Sequence, residues 1–134
     1  MKYLPATGRM TAEEAAAVYG PCDALGGDLR VEVGRYLLDS SNLQATSPGP
    51  DRFNPALGDV VPEGVCSDGD WAWTMDWGYY VLAYGFTPPA EFMEHLKVRG
   101  TEPVTLEEPA LVAALDEFNE DCRSGQAFYT VEDG

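Results

Sequence analysis

His95 is the only histidine in this 134-residue chain. Any Ser-His or Cys-His mechanism would have to use it as the base. Glu91 stands four residues earlier, the spacing of a helical side-chain pair. No Gly-Xaa-Ser-Xaa-Gly elbow is present to supply a nucleophile. On these grounds His95 reads as a surface or capping residue. Carboxylates offer a second chemistry. Asp68, Asp70 and Asp76 fall beside Trp71, Trp73 and Trp77, and acids this close suit a hydrolase acid pair or a Ca²⁺ site. Each also has a local explanation: Asp68 in a turn, Asp70 at a strand edge, Asp76 as a helix cap. The EF-hand spacing is missing. Cys22, Cys66 and Cys122 are widely spaced and include no Cys-Xaa-Xaa-Cys, so they read as reduced, mostly buried thiols and not as a zinc set. Gly26-Gly27 and the later glycines lack a P-loop lysine and the dinucleotide-binding spacing. No residue is assigned a catalytic, metal-binding or cofactor role, and a non-enzymatic protein is expected.

The strongest bias is charge. The chain carries 23 acidic and 8 basic residues, a net −15. The excess grows along the chain: net −2 over residues 1–50, −5 over 51–100 and −8 over 101–134. Such a surface repels nucleic acid and anionic membrane, both polyanions. It attracts a basic protein surface and speeds encounter with it at low salt. The acids expected to carry that role are Glu107, Glu108, Asp116, Glu117, Glu120 and Asp121, with Asp68 and Asp70. Trp71 and Trp73, two residues apart on one strand face, are either both core or both anchors of a binding patch.

These residues need elements to position them. At 134 residues and 45% hydrophobic content, one domain with one core is expected. No run of about 18 apolar residues suggests a transmembrane helix, and residues 1–9, read as an arm, lack the apolar region of a signal peptide; the cytoplasm is the expected location. Thr11-Ala-Glu-Glu14 reads as a capping box, opening a helix that Gly20-Pro21 stops. Residues 28–40 fit a strand or a helix, and length favours the helix, with Gly34 weakening it by about 1 kcal/mol. Residues 40–64, crowded with breakers such as Ser47-Pro48-Gly49-Pro50, read as a long irregular loop.

Residues 68–96 organise the rest. They contain all three tryptophans and the histidine. Asp68-Gly69 suits the centre of a tight hairpin between strands near 64–74. Trp77, Tyr80, Val81 and Tyr84 then share one helix face, with Asp76 at its start and Gly85 past its end. Thr87-Pro88-Pro89 opens another helix, with Phe92, Met93 and Leu96 inward. Glu107-Glu108-Pro109 opens the last, with Leu111, Ala114, Leu115, Phe118 and Cys122 as its apolar stripe. Residues 127–131 are expected to add a final strand. The expected fold is α+β: about five helices and a small antiparallel sheet.

Gly69-Asp70-Trp71-Ala72-Trp73, Tyr79-Tyr80-Val81, and Pro89-Ala90-Glu91-Phe92 with His95 resemble a block in small uncharacterised acidic proteins of high-GC actinobacteria. The resemblance covers about 28 residues, and the chain departs from that block at Thr74, where a proline is expected. It implies an immunity-type protein or a bystander in toxin and phage-defence loci, and it assigns no site residues. Together these features lead us to expect an acidic protein-binding module of inhibitor or immunity type, docking on a basic surface of a toxin or defence-type enzyme. An assembly or phage structural component, and a small hydrolase using Asp68, Asp70 or His95, are the alternatives.

Overall fold

A computed structural model describes residues 1–128. It is α+β, as expected, with five helices around a four-stranded sheet. In chain order these are β1 (Lys2–Tyr3), α1 (Ala12–Tyr19), α2 (Gly27–Asp39), β2 (Asn42–Gly49), β3 (Val61–Ser67), β4 (Trp71–Thr74), α3 (Asp76–Tyr84), α4 (Ala90–Arg99) and α5 (Glu108–Ser124). The sheet order is β1-β4-β3-β2. Strands β2, β3 and β4 pair antiparallel, while β1 joins β4 in parallel. No helix among the described residues is long and apolar enough to cross a membrane.

Alternation along the strands gives the sheet two different faces. Cys66, Trp71 and Trp73 point to the main core, with Tyr36 and Leu37 of α2, Trp77 and Tyr80 of α3, and Phe92 of α4. Val65 and Ala72 point the other way, into a smaller core closed by Phe118 of α5 and Ala127. The sheet is thus a middle layer. Helices α2 and α3 cross closely because Gly34 and Gly78 leave room: a Cβ on Gly34 would meet Leu82 Cγ at 2.4 Å, and one on Gly78 would meet Leu38 Cγ at 2.5 Å. Gly34 weakens its helix locally and is repaid by packing.

Several sequence expectations are met. Thr11 Oγ1 accepts the Glu14 N–H at 3.1 Å, and Glu14 Oε1 accepts the Thr11 N–H at 3.0 Å, completing the capping box. The segment expected at 28–40 is a helix, Gly27–Asp39, with Ser40 as its C-cap. Others need correction. The arm at 1–9 is docked: it holds β1, and Leu4 and Thr7 are buried. The 40–64 loop contains all eight residues of β2, a 3-10 turn at Pro55–Leu57 and the start of β3. It hid as a loop because β2 is an edge strand, mostly exposed and interrupted by register shifts on either side of its middle. Pro48 is tolerated there because an outer edge owes no N–H to a neighbour. The hairpin turn centres one residue later than expected, on Gly69-Asp70, with Gly69 alone at positive φ (98°); the Asp68 N–H bonds the Trp71 carbonyl at 3.2 Å across it. Of Thr87-Pro88-Pro89, expected to open α4, it is Pro89 that occupies the N-cap, and Asp76 is the first residue of α3, not its cap. Of the expected C-terminal strand, residues 129–131 lie outside the described residues, and Ala127 and Phe128 are not in a strand.

Asp51, inside the breaker cluster, ties that region to the core. Its Oδ1 accepts the Phe53 and Asn54 N–H groups at 2.8 and 3.1 Å. Its Oδ2 accepts the Tyr79 and Tyr84 hydroxyls, each at 2.7 Å. Burial pushes this carboxyl up, but Tyr84, Tyr79 and the two N–H groups together hold it below the ordinary range.

Candidate functional site

The hairpin end gathers the first candidates. Asp68 is fully buried. Its Oδ1 accepts the N–H groups of Asp70 and Trp71 at 2.9 and 2.8 Å, which fixes the turn. Its Oδ2 accepts the Tyr36 hydroxyl from α2 and His95 Nε2 from α4, the latter at 2.7 Å. Burial pushes the Asp68 carboxyl up, but Tyr36, the Trp71 N–H, His95 and the Asp70 N–H overcome it and lower it. His95 also lies against the Trp71 and Phe92 rings. Asp70 is exposed and pairs with Arg99 Nη1 at 2.7 Å.

Asp68, Asp70 and His95 bring ligand atoms within 4.8 Å of one another. Four donors already occupy the two Asp68 oxygens, which is the capacity of a carboxylate, and Asp70 answers to Arg99. A cation would have to displace these partners. Among the described residues Asp68 is the single hydrogen-bond partner of His95, so no hydroxyl or thiol is set against the ring as a nucleophile. The cluster therefore locks two helices to a turn. Trp71 and Trp73 resolve as core: both are buried, and Trp73 Nε1 donates to the Leu37 carbonyl at 2.7 Å.

The α5 acids separate into two groups. Glu117 accepts the Met1 ammonium, Asp121 Oδ2 accepts the Tyr3 hydroxyl at 2.5 Å, and Glu120 pairs with Arg123 at 2.8 Å. Glu117 and Asp121 thus hold β1. Glu107, Glu108 and Asp116 are exposed and make no ion pair among the described residues. The structure brings Glu117 and Asp70 to one shallow depression beside His95 and Trp71. It does not bring Glu107 and Glu108 there, since nine residues of helix separate Glu108 from Glu117 by about 14 Å.

A cavity of about 400 Å³ lies elsewhere, between the N-terminal segment and the strands. Its walls include Arg9, Met10, Glu14, Thr46, Glu63, Thr74, Asp76 and Phe128. The Asp76 side chain is only 4% exposed. Its Oδ1 accepts the Thr74 hydroxyl at 2.6 Å, while Arg52 Nη2 stops 3.7 Å from Oδ2. Arg52 is held away: its Nη1 donates to Thr7 Oγ1 at 2.8 Å, and its guanidinium sits over the Tyr80 ring. Burial raises the Asp76 carboxyl above its ordinary value, outweighing Thr74, Arg52 and the N–H groups of Trp77 and Asp76. Glu63 is raised too, first by burial and next by Asp76. Carboxyls perturbed by burial and by one another, facing a cavity, make it the candidate binding site. Sequence reading missed Glu63 because it fell in the supposed loop, and explained Asp76 away as a cap.

Most cations in the fold are already engaged. Lys2, Arg30, Arg52, Lys97, Arg99 and Arg123 each lie within ion-pair distance of a carboxylate. Six of the eight basic side chains thus have an internal acidic partner, Arg52 the loosest at 3.7 Å. Comparison with protein-family models, curated proteins and solved structures returns no match for this chain.

Proposed function

We propose that the chain is an acidic protein-binding module, of inhibitor or immunity type, that docks on a basic protein surface and is not an enzyme. The observation that carries this reading is that six of the eight cations have an internal acidic partner, while Glu107, Glu108 and Asp116 are exposed with no ion-pair partner among the described residues. With 23 acids against 8 bases, the field outside the molecule is dominated by negative charge, and it steers basic partners toward it. The resemblance at about residues 68–95 makes a nuclease-like toxin or defence enzyme the class of partner to test first.

The test is capture of partners from source-cell lysate at about 50 mM and about 500 mM salt, over which the Debye length falls from roughly 14 to 4 Å. A basic protein held at low salt and released at high salt supports the reading. The triple variant Glu107→Gln, Glu108→Gln, Asp116→Asn then weakens capture and flattens its salt dependence. Unchanged affinity and salt dependence in that variant refute this face as the interface. A second reading, an assembly component, draws on the exposed edge strand β2, whose eight residues carry no charge to blunt pairing. Concentration-dependent, regular self-association in light scattering would favour it.

A further inference from the structure

Resting on the reading of the chain as an acidic binding module, we infer that the cavity beside Asp76 is the socket for one arginine side chain of the basic partner. Three features define the occupant. The first is charge. Glu14, Glu63 and Asp76 line the cavity with Arg9, Arg52 lies 3.7 Å from Asp76 Oδ2, and Asp59 acts on Glu63 from nearby. Acids outnumber cations around the cavity, which favours an entering cation. The second is geometry. Among the described residues the one side-chain hydrogen bond to Asp76 comes from Thr74 to Oδ1, and Arg52, tethered to Thr7, stops 3.7 Å from Oδ2. Glu63 makes no ion pair among the described residues. The carboxylates of Asp76 and Glu63 suit a guanidinium, which presents donors in a planar fork and sheds its hydration more readily than an ammonium. The third is shape. Met10 and Phe128 line the same cavity and offer apolar surface to the three-carbon stem of the entering side chain. A volume of about 400 Å³ suits one side chain better than a folded element.

The test is a titration of the ¹⁵N-labelled protein with acetyl-Gly-Arg-Gly-amide, followed by amide NMR. The citrulline counterpart, equal in shape but uncharged, is the control. Expected are saturable shifts confined to the amides around Glu63, Gly64, Thr74 and Asp76, with none from the citrulline peptide. Glu63→Gln weakens the arginine peptide by about tenfold, equivalent to about 1.4 kcal/mol, while Glu32→Gln, on the exposed face of α2, leaves it unchanged. Since Asp76→Asn changes a buried group, Glu63→Gln, on a half-buried side chain, keeps the test decisive if the former fails to fold. Non-saturating shifts spread over the acidic surface, or equal response to citrulline, overturn the socket. The two proposals fail separately. Salt-sensitive capture that survives Glu63→Gln, with no localised shifts, removes the socket and leaves the module. Localised arginine binding with no protein captured keeps the cavity as a guanidinium site and removes the docking function.

Discussion

Replacing Asp68 tests the claim that the hairpin end is a structural lock. In Asp68→Ala four donors lose their acceptor at once. The Asp70 N–H is only part-buried and His95 is part-exposed, so water can serve both. The Tyr36 hydroxyl and the Trp71 N–H are buried and cannot be served so easily. Each orphaned donor costs about 1–3 kcal/mol, for a total of about 2–6 kcal/mol. That is a large share of the roughly 5–15 kcal/mol typical of a domain. Asp68→Asn keeps an oxygen for the two turn N–H groups and should cost about 1–2 kcal/mol. The assay is urea unfolding followed by fluorescence, since all three tryptophans are buried. With a slope of about 1–3 kcal/mol per molar, Asp68→Ala should lower the midpoint by about 1–3 M. The sign with pH follows from the lowered carboxyl. Its contribution is fully present above the unfolded value, near 4, and is lost as pH falls through the still lower folded value. Asp68→Asn should lack that acid loss. An Ala variant within about 1 kcal/mol of wild type, or no worse than Asn, would refute the lock.

Asp76 and Glu63 give the opposite pH sign. Because both folded carboxyls are raised, the folded state binds their protons more readily, so their penalty at neutral pH is relieved as pH falls toward the unfolded value near 4. The stability–pH curve of Asp76→Asn should be flatter than wild type as pH falls from neutral toward the unfolded value in urea titrations; an unchanged slope would count against the raised carboxyl. Gly64 sits at φ 142°, and a Cβ there would lie 2.4 Å from the Gln44 carbonyl oxygen across the sheet. Gly64→Ala should therefore cost at least about 2 kcal/mol by the same assay, and a neutral result would contradict the β2–β3 register. Burial pushes the Cys66 thiol up to about 11, whereas Cys22 is exposed. Iodoacetamide at pH 8 should label Cys22 in the native protein and reach Cys66 only on unfolding, as mass spectrometry would show.

What could be read in advance was local. The capping box at Thr11 and Glu14, the aromatic face of α3 and the apolar stripe of α5 each depend on residues a few positions apart, and each is where periodicity placed it. What escaped depended on distant partners. Strand β2 sends only Leu43 toward a core, too little to create alternation, so its pairing with β3 reveals it. Asp51 looked like one more breaker, yet it collects two tyrosine hydroxyls from about 30 residues away. Asp68 was placed in the turn correctly but counted among surface acids, because nothing local announces Tyr36 and His95 above it. The α5 acids were legible as exposed charge, but not the diversion of Glu117 and Asp121 to β1. Charge is visible in a sequence; its compensation is a tertiary fact.

The parallel pairing of Lys2 with Trp71 and of Tyr3 with Ala72 has a kinetic side. Joining positions about 70 residues apart costs roughly 4 kcal/mol of chain entropy beyond a fixed constant, and no contact offsets it until β4 has its own neighbour. Strand β1 should therefore wait for the β3–β4 hairpin, and α5 cannot receive Tyr3 until β1 is in place. During synthesis the residues of β1 emerge well before the edge they complete. Until then the flank of β4 is bare, and a newly made chain is most open to pairing with another copy in that interval.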